Sequence, residues 1–557
     1  MTSWFESLSE RLSRTGLGGL DIRAPFTIPS GIVTTVPSVI ARIAREVPSI
    51  GFLTTKTLSV DPRPGYREPI LHEYYSGCFV NAVGLANPGA SRFRDAMQPL
   101  LPLAGGKPLF VSIMGQDPEE FLDCALELDS IADAFELNLS CPHVKGAGQG
   151  VGSDPDMVRA IVRLLKDRIS KPIVPKLSPN LADIAGMARL CADAGADAIS
   201  LVNTLGPGVA TDSDGYPILT NVVGGLSGAG ILPIGMKAVR EAAAVVNVPI
   251  IASGGIASAE HVRAYRHAGA SLFAVGSALA GMTPPDLVRF FADLERNLGA
   301  AAEEPPRQPV ASRPPLTAYR KSVIAANEVI GDNMFRLRLE SGPKCDPGRF
   351  FFLRLPGEGE KPFSPADDEE PAYLVRKVGP FTTALERLKP GDPIYLRGPY
   401  GIGFPEPRPG RRLVLVGGGT GIAPLMMAAR RWPDRISRAF FGFSRDVSSA
   451  FRAEITTLIP QAQVVIDPPG AVGEVTRALI EDMATDPDLY EECQAFLCGP
   501  GPMMQLTCNV LRTTVPSNAI FVGREDIMRC GIGVCGSCGT HGGLRSCVDG
   551  PVMSAEE

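Results

Sequence analysis

The chain contains no apolar run of the roughly 18 residues that span a bilayer, so no transmembrane helix is expected. It also lacks an excess of positive charge. Lys and Arg number 54 against 60 Asp and Glu, the formal net charge is −6, and no basic stripe runs along any segment. Nucleic acid is therefore excluded as the expected partner. Residues 1–20 have neither the charged start nor the continuous apolar stretch of an export signal. Trp4, Phe5, Leu8 and Leu12 do form a short amphipathic stripe, expected to dock on the body of the protein and not on a membrane. With no export signal, 12 cysteines in a long chain argue for a reducing compartment and for ligation instead of disulfides. The expected location is the cytoplasm. At 557 residues and 45% hydrophobic content the chain reads as several globular domains, with a large barrel as a permitted exception.

Near the C-terminus Cys530, Cys535 and Cys538 follow a C-x4-C-x2-C spacing, and Cys547 comes eight residues later. Four thiolates so spaced suit a [2Fe–2S] cluster, which takes two sulfurs on each iron. Gly531, Gly533, Gly536 and Gly539 let the backbone fold tightly and aim N–H groups at the sulfurs. A zinc site favours paired C-x2-C units, and only one such pair exists here. A one-electron carrier at one end of a chain implies redox partners elsewhere in it.

The strongest boundary is 300–316, where proline, alanine and charge replace any apolar period, as in a semi-rigid linker. Before it, short β-rich runs at 26–29, 51–56, 109–113, 134–138, 173–177, 198–203, 249–253 and 272–275 alternate with helical stretches. Eight such units predict an α/β fold with a parallel sheet, a (β/α)8 TIM barrel over 1–299. After the linker, 317–405 alternates apolar and polar residues between Gly/Pro turns, as a small antiparallel β-barrel would. The apolar strand 411–416 then runs into a glycine loop and a helix, opening a doubly wound nucleotide domain over 406–520. The cysteine segment, 521–557, closes the chain.

Polar residues gather at the C-terminal ends of the barrel strands, the rim where such barrels build chemistry. Gly254-Gly255 and Gly276-Ser277 follow the last two strands, where backbone N–H groups can hold an FMN phosphate. Lys56 and Lys176 each end an apolar strand, and a lysine facing a barrel mouth is costly unless paired. Lys176 could neutralise the anionic edge of a reduced flavin, and Lys56 could meet flavin or a substrate carboxylate. The alternative for either is a solvated lysine at a strand end. Asn81, Asn138, Asn203 and Thr204 supply donors and acceptors matching a ring of alternating C=O and N–H groups. Cys141 leaves the fourth strand on a loop above them, and a thiol can take a proton as thiolate or give one as thiol. Its alternative, a small buried hydrophobe, is the reading assigned to Cys78, Cys124 and Cys191.

These motifs, at 54–57, 81–85, 136–142, 176–180, 203–204, 224–228, 253–256 and 275–277, resemble dihydroorotate dehydrogenases of the soluble subgroup with a cysteine base. The resemblance implies that Cys141 moves the C5 proton while hydride passes between C6 and the flavin. It places the ring on Asn81, Asn138, His143, Asn203 and Thr204, with its carboxylate near Lys56 and the backbone of Val83, Gly84 and Leu85. It assigns FMN to Ser30, Gly31, Lys56, Thr57, Ser112, Asn138, Lys176, Val202, Gly225, Ser227, Gly254, Gly255, Gly276 and Ser277. Related barrels pair, which implies a homodimer through the barrel. Two positions depart from the family: His143 and Ser112 stand where it has asparagine. Both look more like the pyrimidine-reducing domain of dihydropyrimidine dehydrogenases, whose substrates lack the carboxylate, whereas the intact 81–85 segment favours orotate.

Residues 318–557 resemble the electron-transfer subunit that partners those soluble enzymes, a member of the ferredoxin-reductase superfamily. Lys361, Pro362, Phe363 and Ser364 stand where that family meets the FAD pyrophosphate with Arg-Pro-x-Ser, and lysine keeps the charge but loses the bidentate fork. Leu374, Val375, Arg376 and Thr382 match further FAD positions. Gly418, Gly419, Thr420 and Gly421 form a loop whose N–H groups can hold a dinucleotide pyrophosphate, and Cys498, Gly499 and Pro500 match the turn beside the nicotinamide. Arg445 would select NADP by pairing with a 2′-phosphate; read as a solvated arginine, it leaves NAD as the expected dinucleotide. The implied activity is oxidation of dihydroorotate at FMN, with electrons passed through [2Fe–2S] and FAD to NAD⁺. The alternative is an NAD(P)H-dependent reductase of uracil-like rings running the same relay in reverse.

Overall fold

Eight short apolar runs become eight strands of one parallel sheet. In the computed structural model, which describes residues 17, 19–140, 151–299, 314–468 and 473–556, the strands are Phe26–Thr27, Leu53–Thr54, Leu109–Ile113, Ala134–Asn138, Ile173–Leu177, Ile199–Leu201, Ile250–Ser253 and Leu272–Ala274. Cys141, His143, the stripe from Trp4 to Leu12 and residues 300–313 lie outside the described residues. From the second strand to the eighth each pairs with the next in sequence, and the eighth pairs with the first. A parallel bridge from Phe26 to Ile50, with the Gly51 N–H donating to the Phe26 carbonyl at 2.9 Å, brings the first and second strands together and rounds off the ring. A side chain at Gly51 would collide with the Ala24 carbonyl. This is the expected (β/α)8 arrangement.

The central strands Leu109–Ile113, Ala134–Asn138 and Ile173–Leu177 are buried at every position. Helices cover their outer faces and side chains fill the ring, which is why these strands read as unbroken apolar runs and not as alternating ones. The helices that follow them start on short polar side chains. Asp117 accepts from the Glu120 N–H at 2.8 Å and Asp183 from the Gly186 N–H at 2.7 Å. Asp154 accepts from the Asp156 and Met157 N–H groups. Each satisfies donors that the first helical turn cannot.

Two compact units make up the chain, Met1–Leu316 with Ile532–Leu544 and Thr317–Gly531 with Arg545–Glu557. The first holds the barrel and a four-stranded antiparallel sheet, ordered Leu71–Tyr75, Cys78–Asn81, Gly224–Gly228 and Leu205–Gly208, that grows from its loops. It also holds 532–544, bound to the first barrel loop. The Val33 N–H donates to the Val534 carbonyl at 2.7 Å, Thr35 Oγ1 to the Cys535 carbonyl at 2.7 Å and Ser38 Oγ to the Thr540 carbonyl at 2.6 Å.

The second unit contains a seven-stranded antiparallel sheet, built from strands between Arg320 and Tyr400, and a six-stranded sheet. In the latter, Ala462–Ile466, Ile436–Phe443, Arg412–Gly418, Cys493–Cys498 and Ile520–Gly523 lie side by side in parallel, with Val552–Ser554 antiparallel at the edge. The chain builds outward in one direction from Arg412–Gly418, then returns to build in the other. That reversal is the topological switch of a doubly wound sheet. Among the described residues no helix is long and apolar enough to cross a membrane.

Candidate active site

A cavity of about 670 Å³ opens at the C-terminal ends of the barrel strands. Its lining includes every barrel residue assigned from the sequence and described here, except Ser112. Ser30 and Gly31 come from the first loop, Lys56 and Thr57 from the second. Asn138, Lys176, Val202, Asn203 and Thr204 leave the fourth, fifth and sixth strands, and Gly254, Gly255, Gly276 and Ser277 the last two. Asn81, Gly225 and Ser227 reach it from the antiparallel sheet, with Val83, Gly84 and Leu85 just beyond. The cavity also takes in Val534 and Cys535 of the cysteine segment.

Both lysines are buried, at 7% exposure for Lys56 and 5% for Lys176, so the solvated reading fails. Lys176 Nζ lies 3.5 Å from Glu136 Oε1. The same carboxylate oxygen accepts from Ser112 Oγ at 3.0 Å, and Ser112 contacts Thr57 Oγ1 at 3.0 Å, which contacts Ser30 Oγ at 2.8 Å. A carboxylate only accepts, so the hydroxyl protons all point one way, from Ser30 to Thr57 to Ser112 to Glu136. Ser30 is left with lone pairs to offer a ligand. Asn138 Nδ2 also donates to Thr57, and Asn203 Nδ2 donates to Asn138 Oδ1 at 3.1 Å. The polar wall of the cavity is thus one connected network. Ser112 belongs to it one step behind the surface, with no exposure of its own.

The glycine turns are fixed by packing. Gly254 and Gly255 have φ of +111° and +75°, and a Cβ at Gly255 would sit 2.8 Å from Leu232 Cβ. The Tyr265 hydroxyl donates to the Gly254 carbonyl at 2.7 Å, and burial raises its pKa, so it remains a donor. Glycine turns, two buried cations and a rim of amides fit an anionic, hydrogen-bonding cofactor such as FMN.

Sequence reasoning missed Glu136, whose signal was a carboxylate inside an otherwise apolar strand. It also missed Arg63 and Tyr66, which line the cavity from loops without a motif of their own, and gave Asn180, inside the 176–180 motif, no role.

In the second unit, Lys361, Pro362 and Phe363 lie on the strand Gly359–Phe363, with Ser364 next to it, and the Phe363 ring stacks on Phe381 at 6.5 Å. Leu374, Val375 and Arg376 end the strand Ala372–Arg376. Thr382 Oγ1 accepts from the Val378 and Gly379 N–H groups and caps the helix Pro380–Glu386. Gly418 ends its strand, and Gly419, Thr420 and Gly421 turn into the helix Ile422–Arg431. Gly417 pairs with Cys498, and a Cβ on Gly421 would meet the Cys498 carbonyl and Gly499 Cα, both at 2.7 Å. The glycine loop and the turn of Cys498, Gly499 and Pro500 therefore meet at the switch point, where doubly wound sheets bind their ligands. Burial pushes the Cys498 thiol up to about 12, so it stays protonated at neutral pH. Arg445 pairs with Asp332 at the surface.

Cys530, Cys535, Cys538 and Cys547 are all buried, at 1%, 7%, 2% and 1% exposure. Gly531, Gly533 and Gly536 have φ of +80°, +70° and +68°, the backbone curl that turns N–H groups inward on an anion. Among the described residues no group of three or more His, Cys, Asp or Glu side chains is placed to hold a metal ion. A [2Fe–2S] cluster asks instead for two thiolates on each iron, and the donor set suits it.

A parallel (β/α)8 barrel with this cavity at the C-terminal ends of its strands defines the class as a barrel that builds its chemistry at that rim. Residues 13–298 match the family model described as dihydroorotate dehydrogenase, and the chain belongs to that family. Residues 525–557 match the iron-sulfur cluster binding domain of dihydroorotate dehydrogenase B. The catalytic subunit of dihydroorotate dehydrogenase B (NAD(+)) from Thermococcus kodakarensis is 40% identical over 265 residues, 47% of this chain and 85% of that protein. Its counterpart from Methanothermobacter thermautotrophicus is 36% identical over 284 residues, 50% of this chain and 91% of that protein. The one from Archaeoglobus fulgidus is 39% identical over 269 residues, 48% and 87%.

Proposed function

We propose that this chain oxidises dihydroorotate to orotate at an FMN in the barrel cavity and delivers the electrons to NAD⁺. The reading rests on a single observation, that one cavity collects the described barrel residues assigned to flavin and ring. The relatives, named as catalytic subunits of an NAD(+) enzyme, support it. The substrate ring would lie on Asn81, Asn138, Asn203 and Thr204, its carboxylate toward Lys56 and the backbone of Val83, Gly84 and Leu85. Cys141 would take the C5 proton as hydride leaves C6, and His143 would donate a hydrogen bond to a ring carbonyl or carboxylate. Lys176 would hold the anionic edge of the flavin, while Glu136 keeps that lysine in place. Bound FMN supplies the hydride acceptor, and [2Fe–2S] and FAD supply the carriers that return a hydride to NAD⁺.

In the second unit the FAD would use Lys361, Pro362, Phe363, Ser364, Leu374, Val375, Arg376 and Thr382, as a ferredoxin-reductase module does. NAD would use the crevice between Gly418–Gly421 and Cys498–Pro500. The proposed domain limits are 1–299, 300–316, 317–405, 406–520 and 521–557, with pairing of barrels as the proposed assembly and the cytoplasm as the proposed location.

Steady-state assays with dihydroorotate plus NAD⁺, run beside uracil plus NAD(P)H, test the reading. The uracil-type reaction is the alternative that His143 and Ser112 favour. Turnover of dihydroorotate is expected; its absence overturns the proposal. Cys141→Ser is expected to cut turnover by orders of magnitude while FMN stays bound, and near-normal rates would remove Cys141 as the base.

A further inference from the structure

We propose that Arg397 is a positioning residue for the iron–sulfur cluster: its guanidinium holds the Cys530 backbone and raises the cluster's reduction potential, with Glu360 as the counter-charge that moderates it. This rests on the reading of Cys530 as a cluster ligand.

The observation is a charge pair with no access to water. Arg397 and Glu360 have side chains at 0% exposure. Arg397 Nε and Nη2 donate to the two Glu360 carboxylate oxygens at 2.9 and 2.5 Å, a bidentate fork. The remaining nitrogen, Nη1, turns the other way. It donates to the Cys530 carbonyl at 2.7 Å and to Tyr400 Oη at 3.1 Å. The Phe352 ring lies under the guanidinium, its centre 3.9 Å from Cζ. Tyr319 Oη donates to Glu360 Oε2 at 2.6 Å and leaves that carboxylate well satisfied.

The geometry is specific to Cys530 and its neighbour. Gly531 adopts φ of +80°, and a Cβ there would lie 2.9 Å from Phe352, 3.1 Å from Tyr400 and 3.2 Å from Arg397 Nη1. The cysteine backbone is thus laid directly on a platform of one cation and two rings. The register of the sheet builds it: Phe352 pairs with Arg397 across neighbouring strands, and Glu360 comes from the next strand outward.

Burying an ion pair in place of apolar side chains seldom stabilises a fold, because both charges lose their water. Such a pair needs another reason to be there, and its orientation supplies one. The positive end of the pair points at a cluster ligand and the negative end points away. Iron–sulfur potentials follow net charge, hydrogen bonding and exposure. An electron added to an anionic cluster is favoured by the nearer cation, and inside a buried site that interaction is weakly screened.

The test is a redox titration of the holoprotein, prepared anaerobically and followed by EPR of the reduced cluster, with iron content and visible absorbance measured on each sample. Two variants are needed, and their expected shifts have opposite signs. Glu360→Gln removes the counter-charge and leaves Arg397 in place, so the midpoint is expected to rise. Arg397→Met combined with Glu360→Gln removes both charges without stranding either, so the midpoint is expected to fall, by about 59 mV if the one-electron equilibrium changes tenfold. A purely structural role for the pair would not reverse the sign. Unchanged midpoints, or shifts in the same direction, overturn the proposal. If the double variant fails to assemble a cluster, Glu360→Gln decides alone, and a midpoint equal to or below that of the parent protein overturns it. A parent protein that binds no cluster after reconstitution would instead remove the ligand assignment beneath it.

Discussion

A lysine with 6% of its side chain exposed has lost most of the water around its amine, and at Lys176 Glu136 takes the place of that water. Breaking a buried pair by removing one partner strands the other, typically at about 3–5 kcal/mol. Lys176→Met is therefore expected to lower barrel stability by about that amount in urea unfolding, and adding Glu136→Gln is expected to restore most of it. Weak flavin binding should persist in the double variant, because the cation is still missing. Buried thiols make stability depend on pH. Burial raises Cys124 and Cys191 to about 12 in the native state, against about 8.5 in an unfolded chain. Below about pH 8.5 both states keep their protons and the native state has its full advantage. Above it the unfolded chain ionises first, so stability is lost as pH rises toward 12. The urea midpoint should fall between pH 8 and 10, and fall less steeply in the Cys124→Ala/Cys191→Ala variant.

At the scale of elements, strands were the most legible part of the sequence. Three of them, Leu109–Ile113, Ala134–Asn138 and Ile173–Leu177, have the bounds that their apolar runs predict. Others are shorter for local reasons. The first stops at Thr27, before Pro29, which has no N–H to give the ladder. The second starts only at Leu53, because the Gly51 N–H is already engaged by Phe26. The antiparallel sheet that carries Asn81, Gly225 and Ser227 was not legible at all. Its strand Gly224–Gly228 is mostly glycine and shows no alternation to read. The same limit applies to the site. Residue types at strand ends were visible in the sequence, but the network through Ser112 to Glu136 depends on register across three strands. Helix starts were available in principle from their aspartates. Asp154→Ala removes acceptors for two N–H groups and is expected to cost about 1 kcal/mol, read as a lower urea midpoint with flavin binding unchanged.

At the scale of the whole molecule, the question is whether electrons from the barrel must use the cysteine segment. Cys535 lines the same cavity as the residues proposed for FMN, and its carbonyl is held by Thr35 on the loop that also carries Ser30 and Gly31. A cluster using Cys535 would stand next to whatever that cavity holds, while the proposed dinucleotide crevice belongs to the other unit. Cys535→Ala separates the two functions. The cavity keeps its lysines, amides and glycine turns, so dihydroorotate is expected to bleach the barrel flavin at close to the native rate under anaerobic conditions. Cluster absorbance should disappear, and NADH should reduce the FAD but no longer the FMN. Stopped-flow spectra distinguish the two flavins by the order in which they bleach with each reductant. If NADH still reduced the FMN at the native rate in protein shown by iron analysis to lack the cluster, the electrons would have a route that bypasses these cysteines, and the relay order proposed here would be wrong.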